Sequence, residues 1–138
     1  MRPEPFDKLR TAPVEGPIAG LRQAQPALII GKLSVNPPVV LAPMAGITNA
    51  AFRQLCREQG ERDSREPSHT LAGLYVCEMI TSRGIVERDR KTLSMLQFDP
   101  GESVRSVQLY GVDPATVACA TEILCNEYGV GHVDLNFG

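Results

Sequence analysis

The sequence predicts an α/β protein in which helices cover a parallel sheet. Strand-length segments recur at residues 39–42, 74–77, 104–110 and 132–136, the first two as continuous apolar runs. Helical patterns fall between them, carrying cap and stop residues at their ends. Alternation of this kind builds parallel strands, because each helix returns the chain to start the next strand in the same direction.

Residues 1–26 carry Pro3, Pro5, Pro13, Pro17 and Pro26 without sustained periodicity. They read as a mobile or foreign extension, and residues 27–138 as the domain. Leu28-Ile29-Ile30, Gly31-Lys32 and Leu33-Ser34-Val35 read as a short hairpin able to plug one end of a larger structure. After Asn36-Pro37-Pro38, residues 39–42 form a continuous apolar run, as expected of a strand buried on both faces. The run breaks at Pro43-Met44-Ala45-Gly46. Thr48 or Asn49 suits the cap of a helix with Phe52, Leu55 and Cys56 on one stripe and Gly60 as its stop.

Residues 61–70 are polar and aperiodic, and longer than the about 2–6 residues usual between helix and strand. They read as a surface insertion. The second strand ends at Glu78-Met79 and leads into a helical stretch with Ile85, Val86, Leu93 and Leu96 as its apolar positions. The third strand ends at Gly111. Asp113 then caps, Pro114 takes the first helical position, and a helix runs to Glu127 or Tyr128 with Gly129 as its stop. His132 opens the fourth strand.

The chain has 138 residues, 43% of them hydrophobic. That suits one compact domain, since domains cluster at about 100–150 residues. Net charge is −2, which argues against this segment gripping RNA by itself. Cys56, Cys77, Cys119 and Cys125 lack CxxC spacing and read as small buried hydrophobes in a reducing cytosol. Neither His69 nor His132 belongs to a metal-ligand spacing, so no metal site is expected. No apolar run reaches the about 18–20 residues of a membrane helix, and the N-terminus lacks a signal-peptide core. The expected compartment is the cytoplasm.

In parallel α/β folds ligands bind at the C-terminal ends of the strands. Pro43-Met44-Ala45-Gly46 suits a flat ring, since small residues allow close backbone approach and Met gives a soft apolar surface; a loop of this kind also needs no ligand. Gln108 stands inside an apolar strand, where a buried amide must donate and accept. Its partner is either a ring edge or neighbouring backbone. Glu78 ends a strand and can accept from a base or face water. Asp134 and Asn136 share one face; Asn136 can read a uracil edge, and Asp134 can brace the fold.

These strand ends resemble the tRNA-dihydrouridine synthases. The resemblance rests on Leu41-Ala42-Pro43-Met44-Ala45-Gly46-Ile47-Thr48-Asn49, Val76-Cys77-Glu78-Met79-Ile80-Thr81-Ser82, Ser106-Val107-Gln108-Leu109-Tyr110-Gly111 and Val133-Asp134-Leu135-Asn136-Phe137-Gly138. It covers residues 28–138 and is nearest to the bacterial branch with a hairpin before the first strand.

It implies the N-terminal half of a (β/α)8 barrel, about four units, since eight typically take about 250 residues. It also implies flavin mononucleotide (FMN) as cofactor, NADPH as reductant, and reduction of a tRNA uridine to 5,6-dihydrouridine. Pro43, Met44 and Ala45 would contact the flavin ring and Gln108 its pyrimidine portion. Asn136 and Glu78 would line the uracil pocket. The resemblance places the proton-donating cysteine just beyond Gly138, so no catalytic residue is expected in this chain, and the fragment is expected to be inactive alone. tRNA would be bound through the intact parent protein; nothing indicates an oligomer. Two alternatives stay open: another FMN barrel of dihydroorotate dehydrogenase or ene-reductase type, and a non-enzymatic truncated α/β module.

Overall fold

The computed structural model describes residues 26–61, 70–71 and 73–138. The expected extension, apart from Pro26, and residues 62–69 of the expected insertion lie outside the described residues.

The hairpin forms as its turn residues dictate. β1 (Leu28–Ile30) and β2 (Leu33–Val35) pair antiparallel around Gly31, whose φ of 58° lies in the left-handed region that favours glycine. A strand the sequence did not announce, β4 (Thr70–Leu71), adds parallel to β2. Thr70, expected within the insertion, is therefore part of a sheet. Val35 is fully buried and packs with Leu74 and Val76, with Ile30, Leu71 and Val104 around them. The hairpin thus closes the end of the main sheet where its strands begin.

The main sheet contains β3 (Val40–Leu41), β5 (Leu74–Thr81), β6 (Arg105–Tyr110) and β7 (Val130–Asn136), in the order β3-β5-β6-β7. All its pairings are parallel. The helices are α1 (Ala50–Glu61), α2 (Ser82–Val86), α3 (Arg90–Ser94) and α4 (Pro114–Tyr128). The α/β class with a parallel sheet is as expected.

Cys77, Ile80, Val107, Leu109 and Val130 point from the strands into a core completed by Ile85, Leu96, Ala120 and Leu124. Side chains alternate across a strand, so Gln108 stands opposite Val107 and Leu109, and Asp134 and Asn136 stand opposite Val133, which packs against that core. No helix among the described residues is long and apolar enough to cross a membrane.

Local expectations needed correction where packing overrides pattern. Val39 and Val40 are 57% and 41% exposed, because β3 is the edge strand and no described strand pairs with its outer side. In α1, Leu55 is exposed and the buried residue is Arg53; the helix also runs through Gly60 to Glu61. The single helical stretch after β5 is two short helices, parted where Arg88 takes a positive φ of 57°. Of the four cysteines, Cys77 is buried, Cys56 half-buried, and Cys119 and Cys125 exposed.

Candidate functional site at the strand ends

The loop after β3 is held from beneath. Thr48 is fully buried; its hydroxyl accepts from the Met44 N–H at 3.0 Å and donates to the Met44 carbonyl at 3.2 Å. That leaves Asn49 as the helix cap, its side-chain oxygen accepting from the Phe52 N–H at 3.1 Å. Arg53 then locks Thr48, donating to its carbonyl at 2.8 Å. The same guanidinium donates to the Gln97 carbonyl at 2.7 Å and the Glu102 carboxylate at 3.0 Å, and it lies over the Phe98 ring. So a buried ion pair ties the Met44 loop to the segment leading into β6. Met44, Ala45 and Gly46 remain exposed above it.

β5 carries a bulge where the chemistry begins. Cys77 stands opposite Val107 while Ile80 stands opposite Leu109, so Glu78 and Met79 together face Gln108. A bulge re-aims side chains. Here both residues reach neighbouring strand ends. Glu78 Oε2 accepts from the Gly46 N–H at 2.6 Å, and Met79 Sδ accepts from Asn136 Nδ2 at 3.2 Å.

β6 and β7 complete the line. Their register sets Gln108 beside Asp134 and Tyr110 beside Asn136. Gln108 Nε2 donates to Asp134 Oδ2 at 2.5 Å, and Asn136 Nδ2 donates to Gln108 Oε1 at 3.3 Å. Asn136 Oδ1 accepts from the Gly138 N–H at 2.8 Å. One step below on the same face, the Ser106 hydroxyl meets His132 Nδ1 at 2.8 Å. Burial holds the imidazole below its usual range, with Asp134 opposing that shift.

The structure thus gathers Glu78, Gln108, Asp134 and Asn136 at one rim, together with Met79. Pro43, Met44 and Ala45 join them through the Gly46–Glu78 bond. Gln108 is bonded to side chains rather than to backbone. Exposed apolar groups flank the polar line, among them Met44, Ile47, Tyr110, Val112 and Phe137. A cleft runs between Met79, Tyr110, Val112, Asn136 and Phe137.

Cys77 takes no part. It faces the helices, burial pushes its thiol up to about 11, and it donates to the Met95 carbonyl at 3.8 Å. Among the described residues no cluster of three metal-ligating side chains occurs.

Sequence reading missed the Arg53–Glu102 brace and Met79 as a partner of Asn136. Nothing local announces either. Arg53 reads as an ordinary helix-surface cation, and its acid lies 49 positions away.

The family model described as dihydrouridine synthase matches residues 40–138. A Mycobacterium tuberculosis protein named "Probable tRNA-dihydrouridine synthase" is 48% identical over 116 residues, covering 84% of this chain and 29% of that one. The tRNA-dihydrouridine synthase B of Escherichia coli K12 is 40% identical over 111 residues, covering 79% and 30%. That of Pseudomonas aeruginosa is 38% identical over 109 residues, covering 79% and 29%. The chain therefore spans about three tenths of the length of these relatives. No solved structure matches it.

Proposed function

Because the chain belongs to the dihydrouridine synthase family, we propose that it forms part of the pocket of an enzyme that reduces uridine in tRNA to 5,6-dihydrouridine. The observation that carries this reading is the set of hydrogen bonds joining all four strand ends of the main sheet. They run from Gly46 to Glu78, from Met79 to Asn136, and through Gln108 to Asp134.

In this reading residues 27–138 are half of a (β/α)8 barrel, residues 62–69 a surface insertion and residues 1–26 an extension outside the domain. The rim fits the ring of FMN. Exposed Met44 and Ala45, with Pro43 beneath, offer an apolar surface for a flat heterocycle. Gln108 offers an amide able to donate and accept at its pyrimidine edge. When bound, the flavin supplies hydride, with NADPH as the reductant.

The chain's own residues bind and orient. Asn136 and Glu78 take the uracil edge of a nucleotide turned out of its stack, as enzymes acting on bases require. Cys77, facing the helices with a raised pKa, is left out of proton transfer, as are Cys119 and Cys125 on the exposed face of α4.

A chimera tests the proposal. Residues 28–138 replace the corresponding segment of the M. tuberculosis relative, and dihydrouridine is measured in tRNA lacking that modification. The expected result is a flavin-coloured protein that forms dihydrouridine. A folded, flavin-loaded chimera that forms none would overturn the assignment.

A further inference from the structure

Side-chain amides are ambiguous partners, since turning the group over exchanges its donor and acceptor ends. Gln108 and Asn136 are both amides, and they meet each other, so nothing in the pair itself chooses a direction. Met79 at one end offers a thioether, a weak acceptor. Asp134 at the other end is different in kind. An ionised carboxylate accepts and never donates, and charge-assisted bonds are about twice as strong as neutral ones. With Asp134 Oδ2 at 2.5 Å, the NH2 group of Gln108 must face it. The Gln108 carbonyl then faces Asn136, whose NH2 group must point inward and whose oxygen turns to the Gly138 N–H. One carboxylate thereby orients Gln108, and through Gln108 it orients Asn136 in the same sense as the Gly138 N–H does.

We propose that Asp134 is a positioning residue whose carboxylate sets the direction of the hydrogen bonds through Gln108 and Asn136. It thereby selects the edge the two amides present to a ligand. Beyond these two bonds Gln108 has a second N–H and a second carbonyl lone pair. That pair is complementary to a flat heterocycle presenting a ring N–H beside a carbonyl. The ligand part of this inference rests on the flavin and uracil reading above; the bond direction does not.

Side-chain amide NMR of the 15N-labelled 138-residue chain decides it, with Gln108→Ala and Asn136→Ala used for assignment. Asp134→Asn keeps shape but allows Gln108 to turn over. The expected result is a shifted Asn136 amide signal, or two sets of it. The double variant Asp134→Asn with Gln108→Glu moves the carboxylate one step along the line, where it accepts from both 134 and 136. It is expected to bring back a single Asn136 set.

An unchanged Asn136 signal in Asp134→Asn overturns the proposal, as does a double variant that fails to bring back one set. Lost spectral dispersion in Asp134→Asn that the double variant does not repair assigns Asp134 to folding and overturns it too. No flavin or RNA enters this measurement, so its failure and that of the chimera are separable.

Discussion

Arg53 is the residue on which the site's first loop depends. A guanidinium with no solvent exposure survives because it donates to two carbonyls and one carboxylate, although its Nε finds no partner among the described residues. Removing one member of a buried pair leaves the other charged and unpaired, at a cost of about 3–5 kcal/mol. Arg53→Met is therefore expected to lower the urea midpoint severely. Arg53→Met with Glu102→Leu should recover part of that loss, since no charge is then stranded; equal losses in single and double variants would refute the coupling.

Gln108 is a different case. It is half-buried at the rim, and its two bonds are to other side chains there. In the chimera, Gln108→Ala is expected to lower the flavin retained after desalting by several-fold, with a thermal midpoint shift of a few degrees at most. Unchanged flavin content would count against its assigned contact.

At the scale of elements, α3 and α4 are set by capping. Asp89 accepts from the N–H and hydroxyl of Thr92, and Asp113 from those of Thr116. Both carboxyls are held below the usual carboxylate range, Asp89 chiefly by the Thr92 N–H and Asp113 chiefly by the Thr116 hydroxyl. A lowered folded-state pKa means the stabilisation is complete above the unfolded-state value. It disappears as pH falls through the lowered one. Acidification should therefore weaken α3 and α4, and Asp113→Asn should flatten the acid limb of stability measured by circular dichroism between about pH 5 and pH 2. An identical acid limb in that variant would assign the transition to other carboxylates. The bulge in β5 belongs to this scale too. By setting two residues against Gln108 it lets Glu78 and Met79 serve different neighbours.

For the molecule as a whole, four parallel strands carry a rim whose polar groups are joined to one another, while β7 remains an edge strand with Leu135 and Phe137 exposed beside it. In the proposed reading these strand ends hold a ring from one side. The 138-residue chain is thus expected to bind FMN weakly and to form no dihydrouridine. Flavin absorbance after desalting and dihydrouridine content of tRNA check this; a yellow, active preparation would reverse it.

Much of this architecture was legible beforehand because it is written locally. Asp113, Pro114 and Gly129 bound α4 as their positions predict, since capping and left-handed closure involve residues three or four apart. The order of strands and helices followed from hydrophobic period. The short list of Glu78, Gln108, Asp134 and Asn136 followed from parallel strands presenting their C-terminal ends together. Reading failed where a neighbour distant in sequence decided the outcome. Helical period put Leu55 inside, but the acid that buries Arg53 comes from 49 positions on.

By itself, then, the sequence determined the α/β class, the order of the main-sheet strands, the ends of α4 and the residues at the strand ends. Tertiary structure decided which of those residues meet. Strand register and the bulge join Gln108 to Asp134 across 26 positions and to Asn136 across 28. A strand's own hydrophobic pattern fixes which face meets the core, whereas the partner across the sheet is fixed only when whole strands pack together.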